Sequence, residues 1–473
     1  MIHKIFKNRG MILVNALVFA GIAITVTTAL VNWGASVLKN TRNLAVREQA
    51  FQVAEAGIEY YRWHLAHSPN DFKDGTNTNG PYIHTVKDAD GDVIGQYSLV
   101  ITPPPTGSTL VKISSTGTVV SDSTVSRTIK VSLAIPSLAK YSILSDADVY
   151  FGSGTDIYGL VHSNGGIHFD AIAHNLVTSA VSHYNDTDYP GTNDLGVYTR
   201  VAPADPQYPA TPPSRPDIFM AGRLFPVPAV DFDAMTSSLS QLKTLAQGTG
   251  GRYIASSGSQ GYRIVLKIND TFDLYRVTSL RSSGGGCRDS QGQSGWGTWS
   301  INNQQFVANY PFPSNGIIFV EDHLWIEGQI QTARLTIATG RFPEAPGQYK
   351  SITINENLLY SAYDGTDVIG LIAQGDINVG MYSANNLRID AALVAKNGRA
   401  GRYYYNDSCA NYTRNSLTLF GMLASRNRYG FAYTNNTGYT TRNINYDTNL
   451  LYAPPPSFPL TSSQYQQISW EEF

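Results

Sequence analysis

His162, His168 and His174 recur every six residues in VHSNGGIHFDAIAHN, and Asp146, Asp148 and Asp170 lie close by in sequence. Imidazoles and carboxylates are what a metal site or a carbohydrate-cleaving acid pair requires. Either chemistry needs these groups to converge on one face. In a stacked-coil fold, six residues is too short for a full coil, so the three histidines need not stack and solvated turn residues are the simpler reading.

Other chemistry is sparsely represented. There is no G-x-S-x-G elbow, HExxH or Walker A pattern, and the GGGC at 284–287 lacks the Lys-Ser/Thr of a phosphate loop. No cofactor is implied and no metal ligand set is assigned. The two cysteines, Cys287 and Cys409, lack C-x-x-C spacing, which argues against thiol redox and structural zinc. Outside the cytoplasm a disulfide between them is allowed, although spacing alone does not establish proximity. DADGD (Asp88 to Asp92) looks like the start of an EF-hand loop, but position twelve is Leu99, so a hairpin turn fits better.

The elements that must position these residues are β-rich. Only 15% of the 473 residues are charged, the net charge is −2, and glycine (42) and tyrosine (29) are abundant. That profile suits a turn-dense surface protein and carries no electrostatic signal for nucleic acid. YSLVITP, VKISSTGTVV and RTIKVSLAI alternate and are rich in β-branched residues, which predicts a small antiparallel β unit over 72–138. From 139 the style changes to short apolar runs broken by Gly, Asn, Asp and Ser. It returns over 315–400, which predicts one irregular parallel β-solenoid built from 139–182 plus 315–400, with a β-sandwich as the alternative.

Between these blocks, 183–314 reads as an insertion. It holds a Pro-rich loop, a helix over 230–248 ending at Gly248, a hairpin turning at Asn269-Asp270, and a Gly/Ser-rich loop with two tryptophans expected to be exposed, Trp296 and Trp299. The Tyr/Asn-rich C-terminal region, 401–473, suits either an adhesive face for sugar or protein or a solvated β-surface over the solenoid end.

At the other terminus, Lys4, Lys7 and Arg9 precede an uncharged run from Met11 to Leu38. The run exceeds the roughly 20 residues needed to span a bilayer and is longer than a secretory h-region. The basic leader favours a cytoplasmic N-terminus. Residues 41–66 continue without proline. Leu44, Phe51, Ile58 and Leu65 recur every seven residues, and Ala54 and Tyr61 complete an apolar stripe. One helix from Met11 to Ala66 would be about 84 Å long.

A basic leader ending in Gly10, an uncharged run and an amphipathic extension together resemble the class III signal of type IV pilin-like proteins. RGMILVNALVF and EQAFQVAEAGIEYY are similar to the N-terminal domain of PilX-type minor pilins. The resemblance covers about 1–135, where SSTGTVVSDSTVSRTIKVSLAI also looks like the family's small β unit. It implies cleavage of the leader 1–10 after Gly10 by prepilin peptidase, methylation of Met11, and packing of the helix 11–68 with other pilin-like subunits. The Glu that major pilins usually carry at the fifth mature position is Asn15 here, a departure that the resemblance associates with tip or rare subunits.

The expected protein is therefore non-enzymatic: a minor pilin-like subunit in type IV pilus biogenesis or adhesion. Its precursor would be a single-pass inner-membrane protein, with the β-rich part outside the cytoplasm and, after assembly, at the cell surface. Gly10 and Met11 would serve processing, and Asn15, Leu44, Phe51, Ala54, Ile58, Tyr61 and Leu65 would serve assembly. A surface carbohydrate or protein would be the ligand. Two alternatives stand beside it: a membrane-anchored β-solenoid enzyme acting on polysaccharide through Asp146, Asp148 or Asp170, and a tip component of a type II secretion pseudopilus.

Overall fold

The computed structural model describes residues 9–104, 108–233, 235–433, 435–461 and 464–473. Leader residues 1–8, with Lys4 and Lys7, lie outside the described residues. The chain is mainly β with one long N-terminal helix, and it divides into two units. The first gathers Met1–Pro103, Val111–Leu133 and Gln467–Phe473; the second gathers Pro104–Leu110 and Ala134–Gln466.

In the first unit, helix α1 runs unbroken over Arg9–His67. No proline interrupts it, and Pro69 follows two residues after its end. Asp71 finishes the turn beyond the helix. Its carboxylate accepts the N–H groups of Lys73 (2.8 Å) and Gly75 (2.7 Å) and meets His64 Nε2 at 3.0 Å. The backbone hydrogen bonds hold the Asp71 carboxyl below its usual range despite some desolvation, and His64 adds to the effect.

Strands β1 (Tyr82–Lys87), β2 (Val93–Thr102), β3 (Val111–Val119) and β4 (Asp122–Ala134) form an antiparallel sheet in that order. The turn between β1 and β2 is the DADGD segment, where Asp88 Oδ1 accepts the N–H groups of Asp90 and Asp92. The C-terminal strand Gln466–Glu472 lies beside β4. The alternation along β3 turns Val111, Ile113, Ser115, Gly117 and Val119 inward.

Helix and sheet meet at glycines. A Cβ on Gly117 would stand 2.2 Å from the Ala50 carbonyl oxygen and 2.4 Å from Ala54 N. One on Gly57 would stand 2.4 Å from Ser115 Oγ. Only a residue without a side chain allows this approach. It buries Ala50, Val53, Ala54, Ile58, Tyr61 and Leu65 against the helix's own sheet. The apolar stripe read from the sequence is therefore divided. Ala54, Ile58, Tyr61 and Leu65 are covered within the chain, Phe51 is half-buried, and Leu44 is 66% exposed. The heptad count follows 3.5 residues per turn, whereas a straight helix on a sheet selects a broader face at 3.6.

The second unit is a parallel β-solenoid. One ladder joins Ile318, Ile337, Leu371, Leu393, Leu423, Ile143, Val161 and Val177 in successive parallel pairs. A second joins Leu358, Ile389, Leu419, Ile444, Ile157 and Ala173. On the third face, Leu324, Ile352, Ile377 and Ala400 form one ladder and Val149, Ile167 and Val197 another. These side chains are buried in one core cluster. Each buried Leu, Ile or Val of these ladders contributes roughly 1.5–3 kcal/mol relative to exposure.

Corners are finished by small polar residues. Ser425, Ser145, Ser163 and Ser179 stack in register and are fully buried. Their hydroxyls donate to the carbonyls of Asn427, Ala147, Ala147 and Gly165 respectively.

Two boundaries and one surface differ from the expectations drawn from the sequence. The expected insertion 183–314 contains solenoid strands: Arg252–Ile254 pairs with Ile318–Val320, and Gly261–Lys267 pairs in parallel with Leu324–Ile330. Within the insertion, helix α2 (Met235–Gln247) and the hairpin turning at Asn269-Asp270 are present as strands and helix. The region 401–473 is not one element, because Thr413–Ser425 and Gly438–Tyr446 are solenoid strands whereas Gln466–Glu472 joins the antiparallel sheet. Nor is the tyrosine-rich stretch uniformly solvated: Tyr403, Tyr405 and Tyr439 are buried, whereas Tyr412 is exposed. Polar composition obscured these strands, since only alternate residues face a solenoid core.

Candidate assembly helix and loop sites

The N-terminal part of α1 is long and apolar enough to cross a membrane. From Met11 to Leu38 its side chains are exposed apart from Gly34, which is half-exposed. The three threonines within it bond back to the helix backbone. Thr25 donates to the carbonyl of Ile22, Thr27 to Ala23 and Thr28 to Ile24, at 2.8, 2.8 and 2.7 Å. Such back-bonding is what lets hydroxyls sit in hydrocarbon.

Gly10 lies in the first turn of α1; Met11 and Asn15 are exposed one turn apart on the same helix. Trp33, 69% exposed, and Lys39 close the apolar run. Tryptophan followed by a cation suits a membrane–water boundary. A lone indole near the end of the uncharged run is the sequence signal for this boundary.

The histidines and aspartates at 146–174 are separated by the coil geometry. Asn164 and Asp146, hydrogen-bonded at 2.5 Å, lie 18 residues apart on adjacent coils. A six-residue spacing therefore advances one face of a three-faced coil. His162 bonds to Thr178 and Asn164 at 2.9 and 3.1 Å. His168, on a different face, lies between Asp170 and Asp186, each at 3.0 Å, and stacks on Tyr198. His174 stacks on Tyr158 with ring centroids 4.0 Å apart.

The carboxylates are likewise engaged. Asp146 also faces Arg426 at 3.4 Å, and Asp148 accepts the Gly166 N–H at 2.7 Å. Asp170 accepts from Thr199 Oγ1 and the Arg200 N–H. His168 and these donors keep its carboxyl ionised below the usual range against the opposing effect of desolvation.

Cys287 and Cys409 are joined in a disulfide, with Cα atoms 4.5 Å apart. Their partners hold the Gly/Ser-rich loop against the coil at 402–411. Trp296 Nε1 donates to the Tyr404 carbonyl (3.1 Å), Gln293 Oε1 accepts the Tyr404 N–H (2.8 Å), and Tyr405 OH donates to the Gly297 carbonyl (2.7 Å). Trp296 and Trp299 are half-buried rather than exposed, since both indole N–H groups have carbonyl acceptors and Trp325 Nε1 donates to the Trp299 carbonyl.

Beneath this loop, Arg402 is fully buried. Its guanidinium donates to the carbonyls of Gly380, Met381 (3.1 Å) and Asn411 (2.6 Å) and to Ser383 Oγ (3.0 Å). Burial pushes its pKa down to about 10, and the nearby Tyr405 and Tyr439 oppose that shift.

No protein-family model and no curated protein matches this chain. Among solved structures, the competence-associated pilin ComZ of Thermus thermophilus is similar over 90% of this chain and 97% of its own, at 14% identity and a TM-score of 0.29. At that score the likeness carries no argument about this chain.

Proposed function

We propose that this chain is a non-enzymatic minor pilin-like subunit that anchors in a membrane, is cut after Gly10 and packs its helix among other pilin-like subunits. The observation that carries the reading is the division of labour along α1. Met11–Leu38 is apolar and exposed, while Ala50–Leu65 is committed to the chain's own antiparallel sheet. A simple anchor needs only the first part. A rigid helix of 59 residues, about 88 Å long, with a small sheet clasping its distal half, presents one face-free shaft for packing with others.

Asn15 supports a place at a filament tip. It accepts a hydrogen bond but carries no charge to balance an ammonium in lipid. Leu44, exposed just beyond the apolar run, is the stripe residue left available for a neighbouring subunit. Type IV pilus biogenesis, with prepilin peptidase as processing partner, follows from the sequence resemblance.

The N-terminal mass of protein from a sheared surface fraction tests this. A chain starting at N-methylated Met11 is the expected result. An intact leader found only in membranes overturns it.

A further inference from the structure

On the third face of the solenoid, a pocket of about 490 Å³ opens beside the disulfide-tied loop. Besides the His323 imidazole, Trp299, Tyr349 and Tyr403 line it, each from a different segment. Two glycines let adjacent coils pack closely behind its lining. A Cβ on Gly398 would stand 2.2 Å from Asp376 Oδ1, and one on Gly375 would stand 2.7 Å from Ser351 Oγ.

The polar groups form a column along the coils. Leu324, Ile352, Ile377 and Ala400 are paired in register, so the residues before them, His323, Ser351, Asp376 and Arg399, follow one another at the strand spacing of about 4.8 Å. All four line the pocket, with Asn397 and Asn427 on the neighbouring turn. Arg399 lies 4.7 Å over the Tyr403 ring, and its Nη2 is buried with no hydrogen-bond partner among the described residues. Asp376 Oδ1 accepts the Arg399 N–H at 2.8 Å.

The charges of Arg399 and Asp376 oppose each other, so nothing in the pocket selects a polyanion. Its open, polar walls do not suit an apolar ligand. Aromatic faces suit the C–H faces of pyranose rings, and amide, carboxylate and guanidinium groups meet adjacent hydroxyls with paired donors and acceptors. The column spacing is close to the rise of one sugar along an extended chain.

We propose that this pocket binds a neutral polysaccharide, with Tyr349 and Trp299 as stacking platforms and Asp376, Arg399, Asn397 and Asn427 reading hydroxyls. This deepens the adhesion part of the proposed function, but the site lies wholly within the solenoid and its test does not depend on N-terminal processing.

Full-length protein in detergent is titrated onto immobilised cellohexaose, mannohexaose, chitohexaose and polygalacturonate. Tyr349→Ala and Asn427→Ala are compared with wild type, because Tyr349 is only half-buried and Asn427 is exposed. Binding to at least one neutral probe, weakened at least about ten-fold in both variants at unchanged melting temperature, is expected. Asn302→Ala, on the hairpin strand Ile301–Pro311, leaves it unchanged. No neutral probe bound at millimolar concentration, polygalacturonate alone bound, or binding indifferent to both pocket variants each overturns the proposal. The N-terminal mass, read separately, reports on the filament reading alone.

Discussion

Leu423 pairs in parallel with Ile143, so the coil that ends the second chain block stacks directly on the coil that begins the first. The ladder crosses this joint without a break: Leu393 precedes Leu423, and Val161 follows Ile143. The corner serines cross it too, with Ser425 in register with Ser145. In space, the solenoid runs from Arg252–Ile254 through 317–425 and then continues into 143–179 and Arg223–Leu224. Most coils contact neighbours close in sequence, as solenoids do. This joint closes a far longer stretch of chain than the pairs Arg252–Ile318 and Val177–Arg223, and closing a long loop costs entropy that directly successive coils do not incur.

The helix–sheet contact and the exposed stripe residue separate stability from assembly. Gly117→Leu forces a side chain into Ala50 and Ala54 and is expected to destabilise the first unit by about 1–3 kcal/mol or more. Leu44→Ala, at an exposed position, is expected to leave stability within about 0.5 kcal/mol. Thermal unfolding followed by circular dichroism compares them. Equal losses in the two variants would contradict the packing described.

Removing the tie between the Gly/Ser-rich loop and the 402–411 coil should weaken the solenoid. Cys287 and Cys409 are 122 residues apart, and a disulfide closing a loop of that order contributes about 2–5 kcal/mol. Calorimetry of the Cys287→Ser/Cys409→Ser variant is expected to show a lower melting temperature. Two free thiols by titration of the unreduced wild-type protein would count against the bond.

Arg402 is held by three carbonyls and one hydroxyl, a set that a planar fork of donors satisfies and an ammonium does not. Arg402→Lys keeps the charge but leaves acceptors unmet, at a cost of roughly 2–4 kcal/mol. A urea midpoint for the solenoid transition equal to that of wild type would show that the charge alone suffices.

His323 links the pocket to pH. Burial lowers its pKa to about 4, the Lys350 ammonium adds to the shift, and Asp322 opposes it. Between pH 6.5 and 4 the unfolded chain binds a proton that the folded chain does not, so stability rises with pH across that window and is lost as pH falls. The ceiling is roughly 3 kcal/mol. Melting temperatures at pH 7 and 4.5 are expected to differ more for wild type than for His323→Phe. Identical differences would remove His323 from the account.

The sequence by itself determined the long helix, because an uncharged run followed by a proline-free amphipathic stretch leaves the backbone few alternatives in lipid or in water. It also determined the DADGD turn and the alternating strands of the antiparallel sheet, whose periodicity is local. The solenoid was legible as a style of short apolar runs broken by Gly, Asn and Ser. Which coil stacks on which was not, since a strand's edge pairs with any neighbour of matching register and only the closed core selects Leu423 for Ile143. The same limit applies to the sites. The histidines six apart do not converge, as their spacing suggested, but His162 and His168 are not solvated turn residues either: an 18-residue, three-faced coil distributes His162, His168 and His174 over different faces and buries the first two. Conversely, Trp299, Tyr349, Asp376 and Arg399 show no spacing that unites them, and the stacking of coils beneath one disulfide-tied loop brings them to a single pocket.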